Sequence, residues 1–296
     1  MTEQGRRPGA EGREDVAVVD TAPLPQSIAP PSRPFQELDL LYRHRQLIFA
    51  LTARDLKARY RGSILGFFWS LANPLLLLAV YTLVFTRFFP NNIEAYPLFL
   101  FSGILPWTFF SAAILESTGS IAGNAGLIKK VMFPAEALPL VVVMSHLVHF
   151  ALAVPILLAA ILAFAALGKF TISATILLAP LLMVLQTLFV AGIAMTVSSA
   201  SVLFRDLRDI ISNLMQLGFF MTPIIYRIDD IHSRPLRALL RINPMTPFVV
   251  SYQDLFFYGR LPGLSDTILM FAYAGSSVVM GFFVFDRLRD TLAEAI

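Results

Sequence analysis

The sequence predicts an all-α membrane protein: six transmembrane helices, an N-terminal amphipathic interface helix, and short helices in the outer loop before the last span. Three observations carry that prediction. Hydrophobic residues make up 56% of the 296-residue chain and charged residues 15%, at a mean hydropathy of +0.69, which is too apolar for an ordinary soluble domain. The apolar residues gather into runs long enough to cross a bilayer. The basic residues, which give a net charge of +3, stand beside those runs, so membrane orientation explains them better than nucleic-acid binding does.

Residues 1–34 hold Pro8, Pro23, Pro25, Pro30, Pro31 and Pro34 and lack apolar periodicity, so a solvated, disordered tail on the cytoplasmic side is expected. The stretch "RRPGAEGREDVAVVD" has no apolar core of the kind a cleavable signal requires. Cysteine is absent, which excludes disulfides, thiolate metal sites and a cysteine nucleophile.

A helix crosses about 30 Å of hydrocarbon with roughly 20 apolar residues. The runs that approach this length are residues 64–85, 97–115, 137–167, 172–203, 210–226 and 267–285. The fifth is short and carries Asn213 and Gln216. Arg43, Arg45, Arg54, Lys57, Arg59 and Arg61 precede the first span, and Lys129 and Lys130 lie between the second and third. Arg205 and Arg208 follow the fourth, and Arg287 and Arg289 close the sixth. An even number of spans with these loops inside puts both termini in the cytoplasm. The loop before span six breaks the rule with Arg227, Arg234, Arg237, Arg241 and Arg260. Two accounts fit it: a segment dipping into the outer face as two short helices broken at Asn243-Pro244, or arginines that snorkel to headgroups.

Over residues 35–62, Asp39, Arg43, Gln46, Arg54, Lys57 and Arg61 share one helical stripe, while Leu40, Leu47, Ile48 and Leu51 lie on other sides. This fits a helix lying on the membrane, its apolar side anchored at the interface and its charged side free for lipid phosphate or a partner. Two spans carry polar stripes. Ser63, Gly66, Ser70, Asn73 and Tyr81 share a face in span one, and Ser212, Asn213, Gln216, Phe220 and Pro223 share one in span five. Such groups are costly in hydrocarbon unless they meet one another or water. They serve either as interhelical hydrogen bonds or, with Phe67, Trp69, Phe219 and Tyr226, as the lining of a path for a polar, extended substrate.

Enzyme motifs are missing: there is no G-x-x-x-x-G-K-[ST], no H-E-x-x-H and no G-x-S-x-G. His146 and His149 share a helical face without a carboxylate spaced beside them, so no metal site is expected. Glu94 and Glu116 make a poor catalytic pair. Intramembrane carboxylates are scarce, which argues against ion-coupled transport and places the energy source on a partner.

Four stretches, "RDLKARYRGSILGFFWSLANPLL", "LIKKVMFPAEALPL", "FRDLRDIISNLMQLGFFMTPIIY" and "INPMTPFVVSYQDLFFYG", resemble in order and spacing the permease subunit of type-2 ABC exporters for polysaccharides. That group includes O-antigen, teichoic acid, capsule and mycobacterial galactan exporters. The resemblance implies a homodimer in the cytoplasmic (inner) membrane, paired with two copies of a separate ATPase. ATP and Mg would be bound by that ATPase, with no cofactor on this chain. It further implies that residues 63–296 form the six-helix domain, that residues 119–134 are a coupling helix, and that residues 228–264 hold outward gate helices. Coupling to the ATPase would fall to Asp39, Arg43, Asn124, Lys129 and Lys130. The polar faces of spans one and five would line the channel, and Arg54, Lys57, Arg59 and Arg61 would meet the diphosphate of a polyprenyl-linked glycan. Other readings are a type-2 permease for a drug or small lipid, an ATP-independent channel or carrier, and a membrane glycosyltransferase.

Overall fold

The computed structural model describes residues 45–61, 68–88, 93–124, 126, 135–204 and 206–295, and every regular element among them is helical. The tail at residues 1–34 and the first part of the interface helix, with Asp39 and Arg43, lie outside the described residues, as do Ser63, Gly66, Phe67, Lys129, Lys130 and Arg205. Helix α1 runs Arg45–Tyr60. Helix α2 runs Phe68–Leu83 and ends in a π-turn over Val84–Phe88. The long helices are α3 (Tyr96–Ser117), α4 (Ala137–Ala166) and α5 (Ala179–Leu203), followed by the shorter α6 (Leu207–Met221). Two brief helices, α7 (Arg234–Ile242) and α8 (Thr246–Gln253), precede the last, α9 (Leu264–Ala295).

Among the described residues, four helices are long and apolar enough to cross a membrane: Tyr96–Ser117, Ala137–Ala166, Ala174–Leu203 and Leu264–Leu288. They match the second, third, fourth and sixth expected runs to within a few residues. The first and fifth runs correspond to α2 and α6, whose helices are 16 and 15 residues long.

Helix α3 is the centre of the bundle. Of its apolar window 78% is buried, against 22–39% in the other three. Its start is set by Ala95, in the left-handed region at φ 51°, followed by Pro97 in the first turn. Pro106 interrupts its hydrogen-bond ladder, and Gln186 of α5, fully buried, donates Nε2 to the Pro106 carbonyl at 2.8 Å. Phe99, Leu100, Ala113 and Ile114 reach zero exposure in the core that α3 shares with α4, α5 and α8.

Helices α5 and α9 run side by side in backbone contact. A Cβ placed on Gly192 would lie 2.2 Å from the Ser277 carbonyl carbon, and one on Gly281 would lie 2.6 Å from the Gly192 oxygen. Only glycine permits that approach. Toward the α1 end, Met195, Phe282 and Phe285 bury Ile121, fixing the chain that leaves α3 to this pair.

The apolar side of α1, expected at the lipid interface, is taken up by protein: Leu47, Ile48 and Leu51 pack on Ala137 and Leu138 at the start of α4. At the opposite end, the expected break at Asn243-Pro244 separates α7 from α8. Asn243 Nδ2 donates to Thr222 Oγ1 at 2.8 Å, and its Oδ1 accepts from the Met245 amide at 3.0 Å, tying the break to the end of α6. Helix α8 then enters the bundle, with Phe248, Val249 and Tyr252 at zero exposure. The π-turn after it, Asp254–Tyr258, stops at Gly259, whose φ of 62° is the left-handed conformation that favours glycine.

Candidate functional site

A cleft of about 520 Å³ opens between α2, α3 and α6. Helix α6 supplies Ser212, Gln216, Phe219 and Phe220 at helical spacing, so these side chains stand on the face turned to α3. Tyr81 comes from α2, and its ring stacks on Phe219 at 5.6 Å and 19°. Helix α3 supplies Trp107, Thr108 and Ser111. Trp107 meets Phe219 edge-on at 6.2 Å, and Phe219 meets Phe220 edge-on at 5.3 Å. A Cβ on Gly218 would lie 2.9 Å from Trp107 Cη2, so this glycine lets the indole pass against α6.

The lining combines the aromatic rings with the hydroxyl and amide groups of Thr108, Ser111, Ser212 and Gln216 and with aliphatic side chains such as Leu77, Ile104 and Met215. Aromatic faces take the C–H side of a sugar or another flat apolar surface, and the polar groups exchange hydrogen bonds with hydroxyls. None of these groups is ionised, so each contact is modest. Of the residues expected on a substrate path, the structure brings together Tyr81, Ser212, Gln216, Phe219 and Phe220. Asn213 is exposed and outside the cleft lining. Tyr226 lies beyond α6 and donates its hydroxyl to the Phe220 carbonyl at 2.9 Å, satisfying a helix-end acceptor. Trp69, Ser70 and Asn73 lie on α2 by its backbone. Sequence reasoning missed Trp107, Thr108 and Ser111, because a helix apolar on every side offers no contrast from which to choose a face.

A second constellation joins α1 to the bundle. Arg59 Nη2 donates to Glu116 Oε1 at 2.5 Å and to Asp55 Oδ2 at 3.2 Å, while His146 Nε2 lies 2.8 Å from Glu116 Oε2. The side chains of Arg59, Glu116 and His146 are 28%, 39% and 11% exposed, so the link sits at the rim of the bundle. His149 meets the His146 ring edge-on at 5.8 Å. Among the described residues no group of three His, Cys, Asp or Glu side chains could hold a metal ion. Of the four basic residues expected to meet a diphosphate, Arg54, Lys57 and Arg61 are exposed, whereas Arg59 is engaged with Glu116. Of the residues expected to couple to an ATPase, Asn124 is described: its Nδ2 donates to the Ser120 carbonyl at 2.8 Å, three residues beyond buried Ile121.

The family model described as ABC-2 type transporter matches residues 46–257. The chain is 38% identical over 260 residues to the O-antigen export system permease protein RfbA of Myxococcus xanthus, covering 86% of this chain and 97% of that protein. It is 32% identical to a protein of the same name from Klebsiella pneumoniae, over 84% of this chain and 95% of the relative. Similarity extends at 22% identity to the polysialic acid transport protein KpsM of Escherichia coli, over 83% of this chain and 93% of that one. With the family match spanning most of the helical bundle and the relatives matched over nearly their whole length, the chain belongs to the ABC-2 type transporter family.

Proposed function

We propose that this chain is the permease subunit of an ATP-driven exporter that moves a polyprenyl-diphosphate-linked polysaccharide across the cytoplasmic membrane. The names of the relatives, O-antigen export and polysialic acid transport, support the cargo class. The observation that carries the reading is the cleft of Tyr81, Trp107, Thr108, Ser111, Gln216 and Phe219, whose aromatic and uncharged polar lining suits sugar units sliding past. A polymer needs many weak contacts, since one tight site would stall it. In this reading Ser63, Gly66, Phe67, Trp69, Ser70 and Asn73 extend the same path along span one.

The working unit is a homodimer with two copies of a separate ATPase, which binds ATP and Mg. Helices α2 and α6 complete six spans, both termini face the cytoplasm, and α7 with α8 forms the outward gate. Exposed Leu76, Val80 and Leu83 on α2, with Leu214 and Leu217 on α6, offer an apolar border for the second copy around the shared path. Arg54, Lys57 and Arg61 receive the diphosphate at the inner side, while Arg59 holds α1 to Glu116. The ATPase closes on ATP, pushes on the segment around Asn124, and parts the two copies of α2 and α6.

The test is to purify the chain with the ATPase encoded beside it and measure ATP hydrolysis with and without extracted lipid-linked glycan. A stable complex stimulated by the glycan lipid is expected. A chain that binds no ATPase, or a complex indifferent to the glycan lipid and stimulated by a small drug or lipid, overturns the proposal.

A further inference from the structure

At the end of the bundle opposite α1, a separate cavity of about 200 Å³ lies between residues 228–229, α7, α8 and the start of α9. Five charged side chains line it: Arg241, Arg260, Asp229, Asp254 and Asp266. One contact pair forms among them, Arg260 Nε donating to Asp254 Oδ1 at 2.7 Å. The Asp254 side chain is only 4% exposed, and its second oxygen accepts no hydrogen bond among the described residues. Asp229, Arg241 and Asp266 likewise make no side-chain hydrogen bond or contact ion pair among the described residues. Burial pushes the Asp254 carboxyl above its usual range, and the Arg260 guanidinium pulls it back only in part. The free Asp254 oxygen meets no protein donor among the described residues and is not sealed off in the interior, so the cavity has an acceptor that the protein itself leaves unused.

The mixture of signs narrows the ligand. A simple anion would face three carboxylates, and a simple cation two guanidinium groups. A zwitterion uses both. The position narrows it further, because the apolar window of α9 begins at Leu264, next to the cavity wall at Leu261 and Gly263, which sets the cavity at headgroup depth. From its mouth, exposed Leu264, Ile268 and Phe271 descend α9 at helical spacing, 76%, 59% and 59% exposed.

We propose that this cavity binds the phosphoethanolamine headgroup of a membrane phospholipid, its phosphate on Arg241 and Arg260, its ammonium on Asp254 and Asp266, and an acyl chain along Leu264, Ile268 and Phe271. A primary ammonium brings three N–H donors to the carboxylates. A trimethylammonium brings none and needs a free aromatic face, while the nearby Tyr258 ring is already covered by Arg260 at 4.7 Å and Arg227 at 5.8 Å. The bound lipid fastens α7 and α8 to the start of α9. This inference stands apart from the export reading, since it requires only that α9 enter the membrane.

The test is native mass spectrometry of the full chain purified in detergent, titrated separately with dioleoyl phosphatidylethanolamine, phosphatidylcholine and phosphatidylglycerol. Phosphatidylethanolamine is expected to bind about tenfold more tightly than either of the others, and Arg241→Gln or Asp266→Asn to lower its binding about tenfold. Asp209→Asn, at the exposed start of α6, should leave it unchanged. Both test residues lie at the cavity edge, so folding is preserved where Asp254→Asn could lose it, and an unchanged melting temperature checks this. Equal retention of the three lipids, or full binding by both variants, overturns the proposal. So does displacement of the lipid by a soluble hexose, which would mark the cavity as a sugar site, or a dimer in which a second copy covers the mouth.

Discussion

Replacing Gly192 by alanine tests whether α5 and α9 truly meet backbone to backbone. The added methyl would lie 2.2 Å from the Ser277 carbonyl carbon, 2.3 Å from its oxygen and 2.5 Å from the Val278 nitrogen. Ordinary carbon contacts begin near 3.5 Å, leaving a shortfall of about 1.3 Å. All three obstructing atoms are main chain, so no side-chain tip can swing aside and the helices must separate. A gap of about 1 Å forfeits a quarter to a half of the dispersion at each facing contact, including those of Met195, Phe282 and Phe285. The expected cost is about 2–3 kcal/mol, at the upper end of overpacking penalties. The assay is thermal unfolding of the purified chain in detergent, followed by size-exclusion recovery. Gly281→Ala should cost a similar amount, and the double variant less than the sum, because both methyls wedge open the same contact. Gly275→Ala is the control: nothing lies within 4 Å of its added carbon, so stability should hold or rise slightly. A Gly192→Ala protein that melts with the parent refutes the close contact and the reasoning built on it.

Glu116→Gln removes the negative charge shared by Arg59 and His146 and replaces one of its two acceptor oxygens by a donor; these groups are partly exposed, so the global loss should stay near 1 kcal/mol, while trypsin cuts α1 several-fold faster. An unchanged cleavage rate would show that α1 is held by Leu47, Ile48 and Leu51 alone. Gly218→Val drives a methyl into the Trp107 indole, so glycan-stimulated ATP hydrolysis should fall more than basal hydrolysis in the assembled transporter. Equal activity would remove Trp107 from the path. Gln253→Leu strands the buried Pro223 carbonyl, which accepts from Gln253 Nε2 at 2.9 Å, and should cost about 1–3 kcal/mol in the same unfolding assay. Tyr96→Phe, which loses only the hydroxyl bond to the Ile225 carbonyl at 3.0 Å, should cost less.

The parts of this molecule that were legible in the sequence are those governed by local periodicity. Apolar runs of bilayer length located α3, α4, α5 and α9, and Asn243-Pro244 marked the stop between α7 and α8, since proline restricts the residue before it. The 3.6-residue repeat put Ser212, Gln216 and Phe220 on one face, and the structure turns that face to the cleft. Asn213 failed the same argument, because a stripe of residues spans a wide arc and its edge can point outward. Other features depend on pairs far apart in the chain. Glu116 reaches His146 across 30 positions and Arg59 across 57, so a search for carboxylates one helical turn from a histidine could not find the link. The seat of Leu47, Ile48 and Leu51 was equally hidden, because an amphipathic helix reads the same whether its apolar side meets lipid or Ala137 and Leu138.

Helix α6 lends the cleft five side chains yet has no buried residue of its own. Segments with few buried contacts open at low free energy, while those woven into a core open only when the whole core does. In a single copy α6 can therefore swing without emptying the interior, and α5, clasped to α9, cannot follow it. Work delivered to this bundle is absorbed as travel by its loosest member: the wall of the cleft yields while the frame that carries it stays still. Amide exchange should register this asymmetry directly, fast along α6 and slow along α5.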